Sequence, residues 1–124
     1  MDAPISLAAT LATFEEPWSP RTVGALNDYK LMVVKAHGDF VWHAHPETDD
    51  CFLVLSGRLS IDLRDEDGGE RTVEVGPGDL YVVPRGVEHR PRAPEGADVL
   101  LIEPKGTVNT GDAGGDLTSP ERLA

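Results

Sequence analysis

Two histidines stand two positions apart in the apolar segment WHAHPETDDCFLVLSG, residues 42–57. The residues around them favour an extended chain, in which side chains two apart point to the same face, so His43 and His45 project into one space. Two imidazoles in an apolar interior cannot both become charged cheaply. A shared metal ion resolves this conflict, because neutral imidazole is a good ligand for Zn, Cu, Ni and Fe. Taken alone, however, two histidines at this spacing prove little.

A second segment strengthens the prediction of a metal site. GDLYVVPRGVEH, residues 78–89, has the pattern G-x5-P-x-G-x2-H. The first segment, from Gly38 to Gly57, has the pattern G-x4-H-x-H-x4-D-x6-G. Together the two patterns resemble the two motifs of the cupin superfamily, and the resemblance covers residues 30–103. It implies a small single-domain cupin.

The resemblance implies a ligand set of His43, His45, Asp50 and His89. In cupins such a set usually holds a divalent ion, often Mn, Fe, Ni, Co or Zn, with one or two open positions. The sequence departs from the family pattern in three ways. One residue fewer precedes His43, Ala93 replaces the final asparagine of the second motif, and the acid is aspartate where the family has glutamate.

The identity of the acid is the open question of this ligand set. Asp50 is shorter than glutamate by one methylene, about 1.5 Å of reach, whereas metal–oxygen distances tolerate only a few tenths of an ångström. Either the backbone moves in, a water bridges, or three histidines hold the ion with an outer-sphere acid. Glu47 and Asp49 are the alternative carboxylates. The six residues between Asp50 and Gly57 match the motif and favour Asp50.

Five further side chains are candidates for binding or catalysis. Phe52 is expected to form a wall of the pocket. Arg85 and Arg90 lie close to His89 in the sequence and are expected to bind an anionic substrate such as a carboxylate or phosphate, unless they only balance nearby acids. No separate general base is evident, and Tyr81 and Glu88 are the candidates for that role.

Short strands must position these residues. From residue 22 to residue 103 the sequence predicts about eight strands separated by turns rich in glycine and proline, and one of them is DFVWHAH (39–45). In RLSIDLR (58–64), apolar and polar residues alternate, which predicts one buried face. Only SLAATLATF (6–14) predicts a helix, with Ser6 as its N-cap. The fold class is therefore all-β, and the resemblance specifies a double-stranded β-helix, or jelly-roll barrel, with a short N-terminal helix.

The chain divides into three predicted parts: residues 1–20 as helix and lead-in, 21–104 as the cupin barrel, and 105–124 as a C-terminal tail. The tail is rich in glycine, serine and threonine, which predicts a loosely held segment. EPKGTVNTGD (103–112) resembles the end of a group of small cupins related to mannose-6-phosphate isomerase, but its residues indicate no chemistry.

Composition limits the partners that the protein is expected to have. The net charge of −11 argues against binding to nucleic-acid phosphates and to anionic membrane surfaces. The single cysteine, the absence of a basic, apolar leader and the absence of a long apolar run predict a cytoplasmic protein. Because small cupins usually pair through sheet edges, the resemblance also implies a homodimer.

Fold and ligand set do not select one reaction. The first hypothesis is a metal-dependent isomerase, epimerase or dioxygenase that acts on a small polar metabolite, a sugar or an organic acid, at the ion inside the barrel. The second is a non-catalytic module that binds or senses such a molecule, which the missing glutamate and asparagine favour. A structural or storage role would suit two fused cupin domains, whereas this sequence contains one.

Overall fold

Residues 3–124 are described by a computed structural model, and they form one helix and seven β-strands. The elements are α1 (Leu7–Leu11), β1 (Arg21–Leu26), β2 (Tyr29–Asp39), β3 (Asp50–Gly57), β4 (Leu59–Arg64), β5 (Glu70–Val75), β6 (Leu80–Val83) and β7 (His89–Pro104). The predicted all-β fold with a short N-terminal helix is confirmed. Ser6 caps α1 by accepting a hydrogen bond from the Ala9 N–H at 3.1 Å. No helix in this described range has the length and hydropathy to cross a membrane.

Strand β7 joins the two halves of the barrel. It pairs antiparallel with β2 along most of its length, with β4 near its start and with β3 from Ala97 onward. Gly96, with φ at +91°, lies where β7 exchanges β4 for β3. Gly57 packs directly on this corner, since an added Cβ would lie 2.3 Å from the Gly96 carbonyl oxygen. The exchange of partners wraps the sheet around one interior, as a jelly-roll barrel requires.

Both faces of β2 are buried. Its inner face contributes Met32 and Val34 to the barrel core. Its outer face presents Val33, which packs in a second cluster with Leu11 of α1 and with Phe14. The barrel core also contains buried side chains of β3, β4 and β7: Phe52, Val54, Leu59, Ile61, Leu63, Val99 and Leu101. The helix therefore covers the outside of the strand, while alternate residues of β2 fill the inside.

The segment that leads to His43 and His45 and contains them differs from the prediction. β2 continues to Asp39 through a bulge between Ala36 and Gly38, and no separate strand forms over residues 39–45. Residues 40–49 make one isolated bridge, between His43 and His89. One reason is Pro91, whose carbonyl accepts from the Phe40 N–H at 2.9 Å but which has no N–H to return a bond. The two histidines nevertheless point into one space, as predicted.

Strand β4 is buried on both faces, not on one as the alternation predicts. On its second face, Asp62 accepts hydrogen bonds from Thr72 at 2.7 Å, Arg90 at 2.8 Å and Arg92 at 2.9 Å. Burial acts to raise the pKa of Asp62, but the Arg92, Thr72 and Arg90 donors outweigh it and lower that pKa to about 2. These long side chains cover the outer face of β4.

We expect Asp62→Ala to lower the free energy of unfolding by about 2–3 kcal/mol at pH 7, because two guanidinium groups lose their shared acceptor. The depressed pKa means that this stabilisation is present above the unfolded pKa of about 3.9 and is lost as the pH falls towards 2. Urea unfolding at pH 7 and at pH 3 measures both effects. Asp116→Ala, at an exposed residue, is the control, and equal stability of the two variants at pH 7 would contradict the prediction.

Residues 105–124 pack against the barrel instead of forming the predicted loose tail. Thr110 is fully buried, and its hydroxyl oxygen lies 2.6 Å from that of Thr118. The Asn109 side chain bonds the Leu117 carbonyl and the Ser119 N–H, both at 2.9 Å. The composition of the segment suggests flexibility, but its polar side chains satisfy one another and hold it in place.

Candidate metal centre

Four buried side chains meet inside the barrel: His43, His45, Asp50 and His89. One ligand atom from each lies within 4.8 Å of the other three. None of the four is more than 5% exposed. The structure thus brings together all four residues that the sequence predicts as a ligand set.

Backbone pairing and ring hydrogen bonds orient two of the histidines. The His43 N–H donates to the His89 carbonyl at 3.0 Å, and the His89 N–H donates to the His43 carbonyl at 2.8 Å. A hydrogen bond from Nδ1 to a backbone carbonyl two residues earlier orients each ring. The Nδ1 of His43 lies 2.9 Å from the Val41 oxygen, and the Nδ1 of His89 lies 2.9 Å from the Val87 oxygen. A ring that donates from Nδ1 carries its lone pair on Nε2, which is the atom a metal needs.

Asp50, the first residue of β3, places its carboxylate among these rings. Its Oδ2 lies 3.4 Å from the Nε2 of His45 and 3.4 Å from the Nε2 of His89. Both of these nitrogens and Asp50 Oδ1 are buried without a hydrogen-bond partner among residues 3–124. Buried polar atoms normally have a partner. One cation bound by these two nitrogens and by the Asp50 carboxylate would supply the missing partners of both rings.

The two alternative carboxylates lie elsewhere. Asp49 is exposed, and its Oδ1 accepts from the Arg85 N–H at 2.9 Å. Glu47 is exposed in the turn that follows the histidine pair. Asp50 is therefore the carboxylate that joins the histidines, although it is shorter than the usual glutamate.

The protonation states suit a cation. Burial, followed by the proximity of His89, lowers the pKa of His43 to about 4, so that this imidazole is neutral at pH 7. Burial alone would raise the pKa of Asp50, but the neighbouring His45 and His89 hold it below its usual range. The neutral His43 imidazole and the ionised Asp50 carboxylate are donors that fit a divalent transition metal.

A cavity of about 30 Å³ adjoins this cluster. His43, Asp50, Phe52 and Glu103 contribute to its lining, and most of its other walls are apolar: Trp18, Val34, Ala36, Phe40, Leu59, Val99 and Leu101. Phe52 thus stands where the sequence places a pocket wall, with its ring edge-on to that of His89 at 6.1 Å. A cavity of this volume has room for about one or two water molecules.

Glu103 is a residue of the site that the sequence analysis missed. It is 3% exposed, lines the cavity, and has an Oε2 without a hydrogen-bond partner in the described chain. Burial and the nearby charge of Asp50 raise the pKa of Glu103 to about 9, so the carboxyl group keeps its proton at neutral pH. A signal was present, because Val99, Leu101 and Glu103 alternate along β7 and place a charged residue on the core-facing side.

Two of the other candidates flank His89 and point away from the cavity. Glu88 is exposed and forms an ion pair with Arg64 at 3.2 Å. Arg90 pairs with Asp62 on the outer face of the barrel at 2.8 Å. His89 faces inward at the start of β7, and neighbours in an extended chain face the opposite way. This alternation accounts for both positions.

The remaining two candidates also lie outside the cavity lining. The side chain of Arg85 is 69% exposed and lies 3.9 Å from Asp49. Tyr81 lines an outer groove together with Arg71 and Arg85. The structure therefore does not bring either residue to the four-residue cluster.

Comparison with known proteins agrees with this geometry. The Cupin_2 family, described as Cupin domain, matches residues 30–103. The chain belongs to the cupin family. This cupin is similar to a cupin-2 domain containing protein from Shewanella frigidimarina NCIMB 400, with 40% sequence identity and a TM-score of 0.76. That match covers 82% of this chain and 94% of the other.

Two further matches show how far the similarity extends. This cupin is 29% identical over 100 residues to Uncharacterized protein YdbB of Bacillus subtilis (strain 168), across 81% of this chain and 85% of the relative. Hydroquinone 1,2-dioxygenase from Sphingomonas sp. TTNP3 matches with a TM-score of 0.74 and 21% identity, across 82% of this chain and 32% of that one. At 21% identity, the match to the hydroquinone 1,2-dioxygenase shows a similarity of fold alone.

Proposed function

We propose that this cupin binds one divalent metal ion through His43, His45, Asp50 and His89, and that a small ligand binds beside the ion. The observation that carries the proposal is the convergence of the Nε2 atoms of His45 and His89, both buried and without a hydrogen-bond partner among residues 3–124, on Asp50 Oδ2, which lies 3.4 Å from each of them. Mn, Fe, Ni, Co and Zn all suit a donor set of nitrogen and oxygen.

The cavity limits the ligand of this proposed site. Its volume of about 30 Å³, which holds about one or two water molecules, admits only the small end of a larger ligand, such as a hydroxyl or carbonyl group. Arg85 and Arg90 lie outside it, so a phosphate group would find neither of them inside. We therefore favour a small oxygen-containing metabolite, such as an organic acid or an unphosphorylated sugar fragment, over a sugar phosphate.

A metal-dependent isomerase or epimerase is the catalytic form of the proposal. When bound, a divalent ion polarises a carbonyl oxygen of the substrate or stabilises an enediolate. Glu103 supports this reading, because its protonated carboxyl lines the same cavity as His43 and Asp50 and can hold or deliver a proton there. The apolar walls keep bulk water away from that proton.

Two other functions stay open as proposals. A dioxygenase would use the same ligand set with an open metal position. A non-catalytic binding or sensing cupin is favoured by Asp50 and Ala93, which stand where the family motifs have glutamate and asparagine. Homodimer formation through sheet edges is supported by Leu80 and Val82, which are 56% and 43% exposed on the edge strand β6. A cytoplasmic location stays a prediction from the sequence.

The metal content of the protein tests the proposal directly. Untagged protein, stripped with a chelator and then dialysed against Zn or Mn, should retain about one equivalent per chain by mass spectrometry. His37→Ala, which removes an exposed histidine outside the cluster, should retain the same amount. Retention of less than about a tenth of an equivalent, after trials with Mn, Fe, Ni, Co and Zn, would sink the proposal.

A further inference from the structure

The end of EPKGTVNTGD (103–112) lies against the backbone between two of the proposed metal ligands. Asp112 Oδ1 accepts a hydrogen bond from the Ala44 N–H at 2.8 Å. The Asp112 N–H in turn donates to the Ala44 carbonyl at 3.1 Å. Ala44 is 6% exposed, so Asp112 satisfies both of its buried backbone groups.

The histidine pair is thereby held from two sides. In an extended chain, the backbone groups of neighbouring residues point in opposite directions. The N–H and carbonyl of His43 face β7, where they pair with His89. Those of Ala44 face the C-terminal segment, and the His45 carbonyl accepts from the Gly86 N–H at 2.9 Å. The loop containing His43 and His45 is therefore fixed between β7 and Asp112.

Gly111 allows this close approach. A Cβ on Gly111 would lie 2.3 Å from the Ala44 carbonyl oxygen and 3.2 Å from Cδ2 of His43. Its φ of +54° is also a conformation in which glycine is favoured. The preceding residue, Thr110, is fully buried and anchors this turn to the rest of the packed segment.

We propose that Asp112 is a positioning residue of the metal centre, which fixes the Ala44 backbone so that His43 and His45 are in place before an ion binds. The inference rests on the metal site proposed above. Asp112 itself is exposed and hydrogen-bonds Ala44, so it acts through the backbone and does not bind the ion. Without it, the buried Ala44 N–H loses its acceptor and the loop must be ordered at the expense of metal-binding energy.

Three variants measured by Zn(II) competition with a chromophoric chelator test this role. We expect Asp112→Ala to weaken Zn(II) binding about tenfold, the size typical of residues that support metal ligands from behind. Asp112→Asn should stay within about twofold of the wild type, because its amide oxygen still accepts from Ala44. Asp116→Ala removes an exposed carboxylate from the same segment and should change nothing.

Amide hydrogen exchange in the metal-free protein reports on the positioning itself. The Ala44 N–H should exchange faster in Asp112→Ala than in the wild type or in Asp112→Asn. Amides of the core residues Val54 and Val99 should not change, whereas a general loss of stability would accelerate them as well. A selective effect on Ala44 therefore separates positioning from simple destabilisation.

Several results would overturn the inference. Wild-type affinity in Asp112→Ala would show that the hydrogen bond does not support metal binding. An Asp112→Asn variant as weak as Asp112→Ala would assign the effect to the charge of Asp112 and not to its position. If the wild type itself bound no Zn(II) or other divalent ion, the proposed metal function would be refuted, whatever the role of Asp112. Unchanged Ala44 exchange in Asp112→Ala would then refute the positioning role independently.

Discussion

His89→Gln is expected to abolish stoichiometric metal binding. The loss of metal affinity should exceed about a hundredfold, which is more than the loss caused by removing a residue that only supports a ligand. Glutamine has a similar reach but a neutral amide, which is a poor ligand compared with imidazole. His89 is 1% exposed, so water cannot easily replace the missing nitrogen. Chelator competition with Zn(II) and with Mn(II) measures the change.

His37→Gln is the matched control for this variant, because His37 is exposed and lies outside the four-residue cluster. The His89 ring also bonds the Val87 carbonyl, so urea unfolding of both metal-free variants is needed to show that they are folded. A folded His89→Gln protein with wild-type affinity for both ions would exclude His89 from the site.

The same assay decides the role of the acid. If Asp50 binds the ion directly, Asp50→Asn should lose affinity about as severely as His89→Gln. If Asp50 is instead an outer-sphere acid, Asp50→Asn should lower the metal affinity only about tenfold, as the loss of a supporting residue does. An Asp50→Ala variant with full affinity would show that Asp50 is not a ligand. The spacing of Asp50 Oδ2, 3.4 Å from two histidine nitrogens, leads us to expect the larger loss.

The question of reach shows what the sequence can predict about this site. Counting methylenes suggests that aspartate is too short for a position usually held by glutamate. The structure places Asp50 at the first residue of β3, with its carboxylate already among the rings of His45 and His89. The motif spacing predicts which residues meet, whereas the backbone path that compensates for a shorter side chain becomes visible only in the fold.

The alternation of side chains along a strand explains which of the other candidates could have been assigned to the inside or the outside of the barrel from the sequence alone. Glu88 and Arg90 flank the inward-facing His89, so a period of two already predicts that they point outward. The same period along β7 predicts that Glu103 faces the core. These residues were accessible to pattern reasoning once β7 was extended back to His89.

The contact of Asp112 with Ala44 was not accessible in this way. It joins residues 68 positions apart, and the bond is from a side chain to the backbone, without a periodic signal. The composition of residues 105–124 predicts a loose tail, because glycine, serine and threonine suit both flexible and tightly turned chains. Their mutual hydrogen bonds decide between these two outcomes.

In the metal-free protein, Glu103→Gln is expected to increase the free energy of unfolding, and the increase should grow with pH. Burial, with the charge of Asp50, raises the pKa of Glu103 from 4.5 to about 9. Between these values the carboxyl is protonated when folded and ionised when unfolded. Unfolding therefore releases a proton, and the folded state loses stability as the pH rises. Glutamine keeps a similar shape without a proton to lose.

Urea unfolding at several pH values from 5 to 9, with a chelator present, measures this difference. The variant should gain up to about 1.4 kcal/mol per pH unit relative to the wild type over that range, with flattening near pH 9. His43, whose pKa is lowered to about 4, makes both proteins more stable as the pH rises towards 6.5, so its effect cancels in the difference. Glu66→Gln, at an exposed site, should show no such trend. A difference independent of pH would mean that buried Glu103 is already ionised beside Asp50, which would remove the proton that the isomerase proposal assigns to it.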